Sequence, residues 1–255
     1  MASLAAASTA SSLLAHPERL PLHAPDAVQT FGATLVVAPH PDDESLGCGG
    51  ALALLARYGM DVRVLFMSDG TGSHPNSRTY PAPRLAALRE AEAHAALAAL
   101  GLGPSVARFL RLQDTRVPFQ TDADFESAVL RCRAEVAAFG PATILLPWRR
   151  DPHGDHQASW QIVRAAVASL SLAPRLIEYP VWIWEHLASD DTPQRTHMTA
   201  WRLDVRDVLP EKCAAIEAHR SQVSDLISDD PDGFRLKPSM ISHFLEPWEV
   251  YLESV

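Results

Sequence analysis

The chain has 255 residues, 47% of them hydrophobic, enough to bury one substantial core, and a formal net charge of −9. That charge, with no basic stripe and no aromatics interleaved among basic residues, excludes a nucleic-acid partner. Cys48, Cys132 and Cys213 are far apart and show no Cys-x-x-Cys spacing, which argues against a disulfide framework and a thiolate metal site.

Residues 1–30 differ from the rest. Met1 to Ala15 is rich in alanine and serine, has no basic n-region, and has serines breaking its apolar stretch, so it does not read as a secretory signal. No stretch is long enough to span a bilayer. A flexible or partly helical N-terminal arm, ordered by a homo-oligomer contact if at all, is expected over 1–30, ahead of a single domain over 31–255. Cytoplasmic residence follows by default.

From Gly32 on, apolar strands alternate with amphipathic helical stretches. The first strand, near 33–38, carries Leu35, Val36 and Val37 without alternation, the pattern of a strand covered on both faces. Pro39 and Pro41 stop it. Proline supplies no ladder N–H and fixes φ, so His40 to Asp43 must turn, and there His40 and Asp43 can converge on one point. Asp42 is placed to accept a proton from something bound to a metal. Glu44 has two readings, a hydrogen-bonding role behind the ligands or a cap on the helix expected over 46–59. Gly47-Cys48-Gly49-Gly50 lacks the Gly-x-Gly-x-x-Gly spacing and follows acidic residues that would repel a pyrophosphate, so it reads as close helix–sheet packing.

A second strand near 61–67 leads into Ser68-Asp69-Gly70-Thr71 and a polar loop in which His74 reads as a solvated histidine. On the helix near 83–101, Arg89 and Glu92 lie three apart, the spacing of a surface ion pair. The third strand, 107–113, ends at Asp114, which taken alone is equally an ordinary turn residue. After a helix near 122–139, the apolar run 142–147 forms a fourth strand. His153-Gly154-Asp155-His156 comes just past it and opens a helix over 155–170. Both polar clusters thus lie beyond the carboxyl ends of strands, where open parallel sheets bind ligands. Two imidazoles and one carboxylate are the usual ligand set of a hydrolytic zinc site, with a fourth position for water. A packed core has no use for unpaired carboxylates at such places.

A strand over 175–184 places Trp182 and Trp184 on one face; stacking on a sugar ring is one reading, and core or interface anchors the favoured one. Trp201 to Val205 alternates and extends an edge, a helix is expected over 207–225, the acidic segment Ser228 to Gly233 reads as a solvent-exposed loop, and Phe244 to Tyr251 closes the fold. This alternation implies right-handed βαβ crossovers and an α/β fold with a three-layer, mainly parallel, Rossmann-like sheet, helices on both faces. Substrate specificity is expected in the loops 70–82 and 185–199.

In combination, the strand followed by His40-Pro-Asp-Asp-Glu44 and the later His153-x-Asp-His156 resemble the PIG-L/LmbE-like zinc de-N-acetylases. Ser68-Asp-Gly-Thr71, Arg89 with Glu92, Leu100-Gly101, Asp114 and His219-x-Ser-Gln222 follow in the family's order, and the resemblance covers roughly residues 33–251. Gly154 departs from it, since many relatives have proline there. The resemblance implies one zinc ion per chain, or another divalent ion in its place, held by His40, Asp43 and His156. It implies Asp42 as general base, His153 as partner of the oxyanion, and Asp155 as the residue that orients His153 and keeps it cationic. Asp114 and Arg89 become candidate substrate contacts, and His219 packs toward the site. The reaction implied is removal of an N-acetyl group from an N-acetylglucosamine-type sugar or conjugate. The alternatives are a zinc amidase for another small N-acyl substrate and, behind it, a non-catalytic sugar- or nucleotide-binding protein. A base beside an incomplete ligand set favours catalysis, because a structural zinc site fills all four positions with protein ligands.

Overall fold

The unbroken apolar run at 34–38 behaves as its pattern dictates: all five residues are buried, Val36 and Ala38 in one core, Leu35 and Val37 in the other. A computed structural model of the chain describes residues 12–171, 173–194 and 196–255. Its strands are β1 (Leu22–His23), β2 (Thr34–Ala38), β3 (Val62–Ser68), β4 (Ala107–Leu112), β5 (Thr143–Pro147), β6 (Arg175–Tyr179), β7 (Met198–Asp204) and β8 (Trp248–Ser254). They form one sheet in the order β1-β7-β8-β6-β5-β2-β3-β4, and only β8 runs antiparallel to its neighbours. Helices α1 (Asp43–Arg57), α2 (Ala82–Ala99) and α5 (Leu209–Ala218) cover one face, and α3 (Phe125–Phe139) and α4 (Gly154–Ala168) the other. Two short helices, α6 (Arg220–Val223) and α7 (Pro238–Ser242), follow α5. This is the expected three-layer, mainly parallel α/β fold.

From β2 the chain builds outward through β3 and β4, then crosses back to place β5 on the other side of β2. The order therefore reverses between β2 and β5, and the crevice beyond their carboxyl ends is the topological switch point where such sheets bind ligands. Two glycines let α1 lie low on the sheet. A Cβ at Gly47 would fall 2.2 Å from the Tyr179 ring, and one at Gly50 2.5 Å from Val205. Beneath α1, the buried Lys212 Nζ donates to Glu249 Oε1 at 2.7 Å, and the same carboxylate accepts from the Gly50 and Ala51 N–H groups and the Tyr251 hydroxyl.

Several expected elements shift. Helix α1 begins at Asp43 rather than 46, with two carboxylates in the first turn, where the helix dipole favours them. The strand expected over 175–184 stops at Tyr179 because Pro180 cannot continue the ladder, and Trp182 and Trp184 sit in a 3-10 turn, Trp182–His186. Trp201 lies on β7, an interior strand between β1 and β8 and not an edge. The helix expected over 207–225 breaks at His219.

The N-terminal boundary also moves. Leu13, Leu14 and Leu20 pack with Ile183, Met198 and Leu252, and β1 pairs with β7, so residues 12–30 belong to the domain. Residues 1–11 of the expected arm lie outside the described residues. Among the described residues no helix is long and apolar enough to cross a membrane. All three cysteines are free thiols.

Candidate metal and active site

Pro39 and Pro41 bring the chain out of β2 in a turn that ends at Asp42, whose φ of 145° lies in a region L-residues rarely adopt. Three contacts hold it there. The Asp42 N–H donates to Glu44 Oε2 at 3.0 Å, and Arg89 donates from Nη2 to the Pro41 carbonyl at 2.5 Å and to Asp42 Oδ2 at 3.1 Å. Glu44 faces away from the crevice, its Oε1 2.7 Å from the Ser45 hydroxyl and 2.8 Å from His219 Nε2. Of its two readings, the supporting one fits these contacts.

Asp43 is the centre of the cluster. Its Oδ2 accepts from the His40 N–H at 2.9 Å and lies 3.2 Å from His40 Nδ1 and 3.3 Å from His156 Nε2. Nitrogen and oxygen donors bind zinc at about 2.0–2.2 Å, so neighbouring corners of a tetrahedron stand roughly 3.3–3.5 Å apart. The observed spacings match that edge. His156 is fully buried, yet neither ring nitrogen makes a well-formed hydrogen bond. An orphaned imidazole facing a carboxylate is a donor set that a metal ion completes. The donor atoms of His40, His153 and His156 also lie within 4.8 Å of one another, as do those of His40, Asp114 and Asp155. Asp114 and Asp155 are each already committed to backbone N–H groups and to His40 Nε2, whereas Asp43 Oδ2 lies between His40 Nδ1 and His156 Nε2.

Behind the trio stand carboxylates that fix ring orientation. His40 Nε2 is 3.1 Å from both Asp114 Oδ1 and Asp155 Oδ2, which turns Nδ1 toward Asp43. His156 Nδ1 is 3.4 Å from Asp151 Oδ1. Asp151 is fully buried and also accepts from the N–H groups of His153, Val181 and Trp182. Carboxylates behind metal-ligating histidines hold the tautomer and raise ligand basicity. Burial disfavours the charged His40 imidazolium, but Asp114, Asp155 and Asp43 raise its pKa well above the ordinary value. Burial would lift Asp43, but His156 and then His40 hold it well below the usual carboxylate range. Asp42 moves the other way. Burial pushes it up to about 6, against the opposing charge of Arg89.

His153 corrects the expectation for Asp155. The Asp155 carboxylate does not reach His153; it bonds the Thr115 and Val117 N–H groups and His40, because the strand-end loop after β4 wraps over it. Only the Asp155 backbone N–H meets His153, donating to Nδ1 at 3.2 Å where His153 caps α4. An Nδ1 that accepts leaves the proton on Nε2. Burial, followed by the neighbouring His40 and His156, lowers the His153 pKa to about 4, so the ring is neutral rather than cationic.

Arg89 and Glu92 correct another. Both are buried, and they engage different partners: Arg89 holds Asp42, Pro41 and Gly70, while Glu92 accepts from the Ser221 N–H and hydroxyl. The cluster opens on a cavity of about 360 Å³ lined by His40, Asp42, Asp43, Arg89, Asp114 and His153 on its polar side. Leu46, Trp182, Phe234 and Leu236 line the other side. Of the two expected specificity loops, 70–82 contributes Gly72 and Ser73, whereas no described residue of 185–199 reaches the cavity. The acidic segment instead braces the rim. Asp229 accepts from the Ser77 hydroxyl and the Arg78 and Thr79 N–H groups, Asp230 accepts from the Asn76 N–H, and Phe234 N–H donates to the Ser73 carbonyl at 2.6 Å. His74 is buried against Gly233 within this clasp and not solvated.

Sequence reasoning missed Asp151 and Trp182 as site residues. A carboxylate five positions before His156, past the same strand, is the signal that could have marked Asp151.

A 1D-myo-inositol 2-acetamido-2-deoxy-alpha-D-glucopyranoside deacetylase of Mycobacterium sp. (strain KMS) is 29% identical over 230 residues, covering 74% of this chain and 74% of that protein. The fold is similar to that of N,N'-diacetylchitobiose deacetylase from Pyrococcus horikoshii, with a TM-score of 0.61 at 22% identity over 79% of this chain and 74% of the other. It is also similar to that of a 4-carboxy-2-hydroxymuconate hydratase from Pseudomonas putida, with a TM-score of 0.59 at 22% identity, covering 74% and 78%. The class is thus an enzyme of the deacetylase kind, a hydrolase of carbon–nitrogen bonds. Residues 35–167, more than half of the chain, match PIG-L, GlcNAc-PI de-N-acetylase, and the chain belongs to that family.

Proposed function

We propose that the protein is a zinc-dependent deacetylase that removes the N-acetyl group from an N-acetylglucosamine-type sugar or sugar conjugate. The observation that carries this reading is Asp43 Oδ2 at metal-ligand spacing from His40 Nδ1 and His156 Nε2, with the Asp42 carboxylate beside it on the same cavity. Family membership favours amide hydrolysis over other water chemistry on the same fold, such as the hydratase reaction. The three free thiols suit a reducing compartment, which supports cytoplasmic residence.

His40, Asp43 and His156 would hold the zinc, and bound zinc supplies a Lewis acid that polarises the amide carbonyl and lowers the pKa of water to about 7. Asp42 takes the proton from the attacking water. Its raised pKa suits that task, because a base near the working pH is strong enough to accept a proton and weak enough to return it to the departing amine. Arg89 fixes the carboxylate in place. His153, neutral with its proton on Nε2, donates to the oxyanion as it forms, a contribution of roughly 2.7–4 kcal/mol for one well-aimed donor. Asp155 and Asp151 act through His40 and His156 as positioning residues. Asp114, on the cavity wall, accepts from a sugar hydroxyl.

The test is mass-spectrometric screening of zinc-loaded protein against N-acetylated sugars, glycosides and sugar phosphates. Loss of acetyl with appearance of the free amine is expected. Failure of every compound with fully metal-loaded protein would overturn the proposal.

A further inference from the structure

The cavity has two unlike sides, and the apolar one has no part in the chemistry above. Trp182 and Phe234 stand edge to face with ring centroids 5.4 Å apart, and Trp182 lies 6.0 Å from the His153 ring, so aromatic surface runs from the reacting centre to the mouth. Phe234 is left 36% exposed there. Trp182, Phe234 and Leu236 thus offer the cavity adjoining apolar surface on its own lining.

This wall is fixed relative to the site. The Trp182 N–H donates to Asp151 Oδ2 at 2.9 Å, the carboxylate that faces His156, and the Phe234 N–H is tied to Ser73 across the rim. Leu46, Trp182 and Leu236 are backed by Met240 and Phe244.

The charge of the cavity narrows what the wall can hold. Among the described residues Arg89 is the one arginine or lysine lining it; its terminal nitrogens are engaged, Nη1 with the Gly70 carbonyl and Nη2 with Pro41 and Asp42, and Nε is buried without a partner. Asp42, Asp43 and Asp114 line the same space. Apart from the zinc of the deacetylase reading, which His40, Asp43 and His156 would hold at the acetamide end, a phosphate or carboxylate on the aglycone would meet Asp42 and Asp114 with no arginine or lysine terminal nitrogen left to pair with it, at a repulsive cost within a site of low dielectric.

Resting on the deacetylase reading, we propose that the sugar carries an uncharged aromatic or alkyl aglycone, which packs on Trp182, Phe234 and Leu236. The acetamide and ring hydroxyls then face the polar side.

The experiment compares N-acetylglucosamine, its phenyl and octyl glycosides as both anomers, and its 1-phosphate, following amine release by zinc-loaded protein and binding by calorimetry. The better anomer of the phenyl or octyl glycoside should exceed both the free sugar and the 1-phosphate by roughly ten- to a hundredfold in kcat/KM. Phe234→Ala should shrink that ratio toward parity. Deacetylation with the free sugar or the phosphate equal or preferred overturns the aglycone and leaves the deacetylase reading intact. If none of the compounds releases an amine, the deacetylase reading fails, and calorimetry still decides the aglycone: tighter binding of the apolar glycosides upholds it, and tighter or equal binding of the phosphate overturns it.

Discussion

Arg89, 2% exposed on α2, places Nη2 3.1 Å from Asp42 Oδ2, so a buried cation from one helix sets the position and the acidity of the carboxylate that precedes another. Burial lifts the Asp42 pKa to about 6 and the Arg89 charge opposes that rise. Removing the cation must therefore raise the pKa further. Since the base works deprotonated, the acid limb of kcat/KM for Arg89→Met should move to higher pH by roughly 1–3 units. An unmoved limb in the pH profile would show that Arg89 does not act on Asp42.

Asp42 and Asp43 are adjacent, and the proposed function gives them different roles. Asp43→Ala, His40→Ala and His156→Ala should each lose most of the bound zinc, measured by elemental analysis after gel filtration, because only two protein donors remain. Asp42→Asn should keep zinc and lower kcat by roughly 10²–10⁴. The reverse pattern would exchange the two aspartates.

Asp151 and Asp155 are expected to act on the metal through the histidines they face. Asp151→Asn and Asp155→Asn should each weaken zinc affinity by about 10–100-fold in chelator competition. For Asp155 this separates its hold on His40 from the orienting of His153, which would change turnover and leave affinity alone.

His153→Ala should retain zinc and lower kcat by about 10²–10³ with a smaller change in KM, since the lost donor serves charge that develops in the transition state. A rise in KM with kcat preserved would make His153 a ground-state contact.

The Lys212 and Glu249 side chains are 1% and 2% exposed. Glu249→Ala would leave the buried Lys212 ammonium without its carboxylate, a loss of about 3–5 kcal/mol in denaturant unfolding. Activity per folded molecule should be kept, because the pair lies beneath α1 and outside the cavity. A loss under 1 kcal/mol, roughly the scale of an exposed pair, would show that the site relaxes or hydrates.

The convergence of His40, Asp43 and His156 was legible because two apolar strands end in prolines and polar residues, and parallel topology sends both ends to one edge. The partners of those residues were not. Arg89 and Glu92, three apart on one helix, look like each other's partners, and only the packing of α2 against the rest sends one to Asp42 and the other to Ser221. The target of Asp155 depends on the loop after β4, whose path is set by tertiary contacts forty residues away in sequence. The insertion of β8 between β6 and β7 is likewise invisible to periodicity, which reports burial and not neighbours.

The clasp at the cavity rim has a consequence for divergence. Asp229 and Asp230 grip the 76–79 segment chiefly by its main-chain N–H groups, with the Ser77 and Thr79 hydroxyls as the side-chain exceptions. Main-chain amides are offered by any residue except proline, so Asn76 and Arg78 can be exchanged widely while the loop keeps its seat. Attachment and surface chemistry are thereby carried by different atoms. A lineage, or a directed library, can rewrite this stretch of surface outside the cavity one side chain at a time without first loosening the frame that holds the reacting groups.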